Sequence, residues 1–202
     1  MSAFLGPIHY WLYNKVMLQE QLIREILKAS SEKQWNPALE ETVDTAYGKA
    51  DNRSLESIID QTNIHGWLQE KITQSELRFA FLVTKILEED QGRMAELKKI
   101  AYDFGQAHPV QEGKSADDAY KVLNDSLLDG MPCDRVNEIQ ETGKEQVKWR
   151  QNSCVHQDYW DQVDGDIAVY YELRNEIIEG MLSNSNLTYI VKDNREYAIE
   201  KR

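Results

Sequence analysis

The chain has 202 residues, 41% of them hydrophobic, which suffices for one domain, or one domain with an appendage, and excludes a disordered chain. Its 23 Lys and Arg stand against 35 Asp and Glu, and the resulting net charge of −12 opposes binding to phosphate backbones and to anionic lipid surfaces. No run approaches the roughly 18 apolar residues of a membrane span, and the N-terminal MSAFLGPIHYWLYNK lacks a basic leader followed by a long apolar region. Two cysteines, Cys133 and Cys154, fit a reducing compartment. These features lead us to expect a cytoplasmic protein with a small-molecule partner, no nucleic-acid or membrane partner, and self-association into a homo-oligomer left open.

In chain order, Pro7 suits a first helical position, and Leu5, Ile8, Leu12, Val16, Gln19, Ile23 and Ile26 recur at steps of three and four up to Lys28. Residues 30–53 read as a polar connector holding a short helix in PALEETVDTAY. From Ser54 to Glu89 a long periodic segment predicts one continuous helix, with Leu55, Ile58, Ile59, Trp67, Leu68, Ile72, Leu77, Phe81, Leu82 and Ile86 as its apolar positions. RMAELKKIAYDFGQAHP predicts a further helix. SADDAYKVLNDSLLDGMP predicts another, with Ser115 as N-cap and Gly130 past its end.

After Cys133 the texture changes. DRVNEIQE is read as two turns of helix, whereas EQVKWRQNSC alternates Val147 and Trp149 with charged neighbours in the manner of a strand. DIAVYYELRNEIIEGML has helical spacing, and LTYIVKDNREYAIEK reads as a hairpin turning at Asp193-Asn194. The expected class is α+β and mainly helical: a bundle of four or five helices over residues 1–130, with a C-terminal α+β segment, 131–202, that carries a small antiparallel β element and packs on it.

One segment occurs twice. IHYWLYNK at Ile8 returns 56 residues later as IHGWLQEK at Ile64, and residues 8–20 match 64–76 at six of thirteen positions, among them His9/His65, Trp11/Trp67, Lys15/Lys71 and Glu20/Glu76. The repeat is either two uses of one helix-packing solution or two halves of one site. If it serves one site, the helices run parallel, with both histidines mostly buried, their rings within about 8 Å and near Cys154 or the aromatic residues. Each glutamate stands eleven residues, roughly 16 Å of helix, beyond its histidine, and the Glu-x-x-His spacing of di-iron carboxylate bundles is absent.

The chemistry-bearing residues are few. A transition metal such as zinc or iron needs three or four converging ligands, and His9, His65, Cys154 and His156 are the candidate set, with Cys133 as a further thiol. Cys154-Val155-His156 on an extended strand would project thiol and imidazole to one face, either as chelators or as nucleophile and base with Asp158 or Asp134 orienting the base. The plainer alternative is a buried thiol and a surface imidazole. Trp11, Tyr13, Trp67, Tyr159 and Trp160 are candidate contacts for a small organic ligand or cofactor, because polar-tipped aromatics stack on flat groups and orient them. No GxxxxGK[ST], GxGxxG, GxSxG or EF-hand pattern occurs.

The order of strand, cysteine, helix with an internal glycine and terminal hairpin, in VKWRQNSCVHQDYW and LRNEIIEGMLSNSNLTYIVKDNREYAI, resembles the small-molecule-binding domains related to bacteriochlorophyll 4-vinyl reductase and aminothiazoline-carboxylate hydrolase. Cys154 and Gly180 occupy the matching places over about the last 60 residues. A second cysteine carried by many members is replaced by the stretch Glu196-Tyr197-Ala198, which leaves ligand type and metal role open. SLESIIDQTNIHGWLQEKI resembles the histidine-bearing helix of DinB-like and haemerythrin-like metal bundles, without their later closely spaced histidines. Three functions follow as expectations. The first is a small-molecule or metal/cofactor-binding protein with an aromatic and His/Cys-lined pocket. The second is a cysteine-dependent hydrolase or lyase acting on a small polar substrate. The third is a helical adaptor that binds another protein.

Overall fold

Pro7 opens the first helix, as its fixed φ and missing N–H favour, and the chain continues α1 (Pro7–Glu32), α2 (Leu39–Tyr47), α3 (Leu55–Ile58), α4 (Ile64–Glu89), α5 (Met94–Ala107), α6 (Ala116–Ser126), β1 (Asn137–Thr142), β2 (Gln146–Gln151), α7 (Gln157–Asp161), α8 (Ile167–Leu182), β3 (Leu187–Lys192) and β4 (Glu196–Lys201). The computed structural model describes residues 5–192 and 195–202; the turn expected at Asp193-Asn194 lies outside the described residues. The class is α+β and mainly helical, with one antiparallel sheet of order β1-β2-β4-β3. Among the described residues no helix is long and apolar enough to cross a membrane.

The chain divides into two compact units, and the division differs from the expected 1–130 and 131–202. The first unit holds the residues up to Gln91 together with Ser126–Met131 and His156–Asp166, and the second holds Gly92–Asp125, Pro132–Val155 and Ile167–Arg202. The reason lies in the partners of α5 and α6. Helix α5 packs on α8, where Gly105 and Gly180 let the two backbones approach so closely that a Cβ on either would strike the other helix. Tyr120 of α6 lies 5.0 Å from Trp149 of the sheet, ring to ring. Sequence periodicity finds these helices without showing which element covers their apolar face.

In the first unit, α1 and α4 are parallel: their contacts advance together from His9/His65 through Gln19/Glu76 to Glu20/Arg78. Leu12, Val16, Ile64, Leu68 and Ile72 build the core of this interface, joined by Leu55, Ile59 and Leu128. The long helix expected from Ser54 to Glu89 is broken. The Asp60 carboxylate accepts from the backbone N–H and the hydroxyl of Thr62, an Asx turn that competes with helix, and Asn63 then caps α4 by accepting from Gly66 N–H at 3.2 Å.

In the second unit, strand β2 alternates as a strand with one buried face does, whereas β4 buries Tyr197, Ala198 and Ile199 in succession. Val147 and Trp149 point into the core, opposite Ile199 and Tyr197. DRVNEIQE, read as helix, contributes β1, an edge strand exposed over Glu138–Thr142 with a register shift between Ile139 and Glu141. The segment has no apolar stripe to stabilise an isolated helix, so ladder hydrogen bonds to β2 decide its state. Helix α6 ends at Ser126, short of Gly130, because the residues after it rejoin the first unit and bury Leu128 there.

Candidate functional site

The repeated segment is a pairing device. His9 and His65 approach to 5.6 Å between ring centroids, and Tyr13 meets Trp67 at 5.9 Å. Each repeat also sets its lysine over its own tryptophan one turn earlier, Lys15 Nζ at 3.6 Å from the Trp11 ring and Lys71 Nζ at 5.4 Å from that of Trp67. His9 is buried as expected, but His65 is exposed. His9 Nδ1 accepts the Gly6 N–H at 2.9 Å, so the side chain in the first turn satisfies the backbone donor of the N-cap residue of α1. With that lone pair engaged, the ring proton of a neutral His9 sits on Nε2, so neither nitrogen offers a lone pair to a metal.

A second polar line runs along the same interface. Arg78 Nε donates to Glu20 at 3.2 Å, and its Nη1 donates to Asp44 at 2.8 Å and to the carbonyl of Gly48. Burial pushes the Glu20 carboxyl up, against the pull of Arg78. One residue along α1, Gln19 donates to Glu76 Oε1 at 3.2 Å, and the other Glu76 oxygen lies 3.0 Å from His156 Nδ1. His156 Nε2 faces Asp129 at 3.7 Å. Burial disfavours the charged ring, but Glu76 and Asp129 outweigh it and raise the His156 pKa to about 9. Sequence reading placed His156 beside Cys154 as a surface imidazole, a ligand or a base. It is instead fully buried, with Glu76 3.0 Å from one ring nitrogen and Asp129 3.7 Å from the other, and two carboxylates that favour the protonated ring oppose a role as proton acceptor from a thiol.

The remaining predicted positions are dispersed. Asp158 is exposed in the first turn of the short helix α7, Tyr159 touches Thr73 through its hydroxyl at 3.4 Å, and Trp160 is buried edge-on against Phe79. Cys133 and Asp134 form an exposed 3₁₀ turn in the second unit. Cys154 belongs to the second unit and His156 to the first. Among the described residues, no group of three or more His, Cys, Asp or Glu is placed to hold a metal ion. An open groove of about 530 Å³ beside α2, lined by Pro37, Glu40, Glu41, Asp44, Thr45 and Lys49, contains none of the predicted site residues.

Around Cys154 the second unit builds a different cluster. The Tyr171 hydroxyl is buried and has no hydrogen-bond partner among the described residues; burial, first, and the neighbouring Cys154 raise its pKa well above that of an ordinary phenol. One turn along α8, the buried Arg174 holds its guanidinium carbon 5.4 Å from the Tyr197 ring. The Tyr197 hydroxyl donates to Gln151 Oε1 at 3.3 Å, and Trp149, Tyr189 and Tyr197 stack at 5.5 to 6.2 Å. Tyr171 is not among the aromatic contacts named from the sequence. Arg174 was missed, and its only sequence signal is the three-residue spacing that puts it on the Tyr171 face of a helix. Compared with protein families, curated proteins and solved structures, the chain matches none.

Proposed function

We propose that this chain is a cytoplasmic small-molecule-binding protein whose ligand meets the second unit around Cys154, Tyr171 and Arg174. The observation that carries this reading is the buried Tyr171 hydroxyl, which has no hydrogen-bond partner among the described residues, with the buried Arg174 guanidinium one turn along α8 and Cys154 nearby. A thiol, a phenol and a planar cation beside stacked aromatic rings suit a compact, flat molecule with a polar edge. The succession of β2, Cys154, α8 with Gly180 at its crossing, and the paired strands β3 and β4 supports the resemblance to the 4-vinyl reductase and aminothiazoline-carboxylate hydrolase group. The double engagement of His156 weighs against a Cys154–His156 hydrolase, and the capped Nδ1 of His9 against a metal held by the paired histidines. The free thiols Cys133 and Cys154 fit a reducing compartment.

The test is a thermal-shift screen of heterocyclic carboxylic acids, run on the wild type, Tyr171→Phe and Arg174→Gln, with the rate of iodoacetamide labelling at Cys154 as a second readout. Compounds that bind the site raise the wild-type Tm, protect Cys154 from labelling and lose both effects in the variants. A panel without a single protecting compound, or hits that act equally on all three proteins, would overturn the reading.

A further inference from the structure

Two short returns of the chain, 126–131 and 156–166, leave the second unit's segments and join the first. Each is anchored by few apolar side chains: Leu128 in one, Trp160 and Val163 in the other. Between them sits one ionic contact. His156, at the N-cap of α7, meets Glu76 of α4 through Nδ1 and Asp129 of the other return through Nε2, and the side chains of all three are at most 6% exposed.

We infer that Glu76, His156 and Asp129 form a latch that docks both returns onto α4 as one cooperative element. The groups facing the imidazole support this. Helix α4 supplies Glu76, the 126–131 return supplies Asp129, and α1 contributes Gln19, which holds the far oxygen of Glu76. On α7 itself Asp158 is exposed, and Tyr159 turns its hydroxyl to Thr73. Removing His156 leaves two buried carboxylates without the cation they share, and removing Asp129 takes away the carboxylate that the Nε2 side of the ring faces, so either loss loosens both segments. The two returns therefore release together. The residues between them, Pro132–Val155, carry the β1–β2 hairpin, so the Asp129–His156 contact also closes the base of that excursion.

Hydrogen exchange read by mass spectrometry tests the latch on the wild type, His156→Gln, Asp129→Asn and, as a control, Asp158→Asn. In the first two variants, peptides covering 126–131 and 156–166 exchange at least tenfold faster and do so together, while peptides of α8 and the control variant stay as in the wild type. Loosening confined to the return that carries the substitution, or no change in either, overturns the proposal. Should the variants fail to fold, ¹⁵N spectra of wild-type imidazoles decide the matter: the latch requires His156 to carry protons on both ring nitrogens at neutral pH, and a singly protonated ring there ends it.

Discussion

His9 and His65, equivalent positions of the repeated segment, meet ring to ring at 5.6 Å across two parallel helices, one buried and the other exposed. The asymmetry assigns them different work. His9 accepts the Gly6 N–H and so fixes the start of α1, whereas His65 only covers the contact. His9→Ala is expected to cost about 1 to 2 kcal/mol by loss of the cap acceptor and the ring contact. His65→Ala is expected to cost under about 0.5 kcal/mol, as exposed positions usually do. Urea unfolding of both single variants and the double variant measures this, with a coupling of about 0.5 kcal/mol or more expected for touching rings. Equal single costs, or strict additivity, would contradict the assignment.

That relationship was legible in the sequence to an unusual depth. The spacing implied two similar helices, and the length of residues 30–53 allowed them to run parallel, as they do. The exposure of His65 was not legible. It follows from the break at Asp60–Asn63, which starts α4 only at Ile64 and leaves His65 in the first turn. The hydrophobic pattern spans that break without interruption; only the local side-chain hydrogen bonds of Asp60 and Asn63 mark it.

Arg78 serves three acceptors from three segments, Glu20 of α1, Asp44 of α2 and the Gly48 carbonyl. Arg78→Met leaves the Glu20 and Asp44 carboxylates without the guanidinium they share in a largely buried site, and a loss of about 3 to 5 kcal/mol is expected. Glu20→Gln should be far milder, within about 1 kcal/mol, because burial already pushes that carboxyl toward its neutral form and the amide oxygen can still accept. Thermal unfolding of both variants compares them directly. A Glu20→Gln variant as unstable as Arg78→Met would mean that charge, and not the hydrogen-bond count at Arg78, dominates the cluster.

Gly180 was singled out by resemblance alone; the crossing of α5 and α8 supplies its physical reason. A methyl group there meets the Tyr102 carbonyl, and one on Gly105 meets that of Ile177, in both cases backbone that cannot turn aside as a side chain would. Gly180→Ala and Gly105→Ala should each destabilise by about 2 kcal/mol or more as the helices are forced apart. Gly6→Ala, with open space around its position, serves as the control. A Gly180→Ala protein with wild-type stability would show that the helices separate freely.

The candidate site was far less legible than the helices. Cys154 and His156 look like one motif because two residues on a strand share a face, yet β2 ends at Gln151 and the chain has turned before either is reached. The real partners of the imidazole, Asp129 and Glu76, lie 27 and 80 residues away in sequence, and Tyr171, the phenol near the thiol, lies 17 away. Only tertiary contact reveals them.

The buried imidazolium fixes the sign of a pH dependence. In the unfolded chain His156 has its ordinary value of 6.5, and in the fold Glu76 and Asp129, against the cost of burial, raise it to about 9. A raised histidine contributes stability that is fully present below pH 6.5 and is lost as pH rises through about 9. Linkage puts that contribution on the order of 3 kcal/mol. Denaturant unfolding between pH 6 and 10 should therefore show the wild type losing stability across this window, while His156→Gln starts lower and follows a flatter course. Lysines and tyrosines that titrate near the top of the range are common to both proteins, so the difference between the curves isolates the imidazole. Parallel curves from pH 6 to 10 would mean that His156 carries no extra proton in the folded state, and the buried contacts to Glu76 and Asp129 would then be those of a neutral ring.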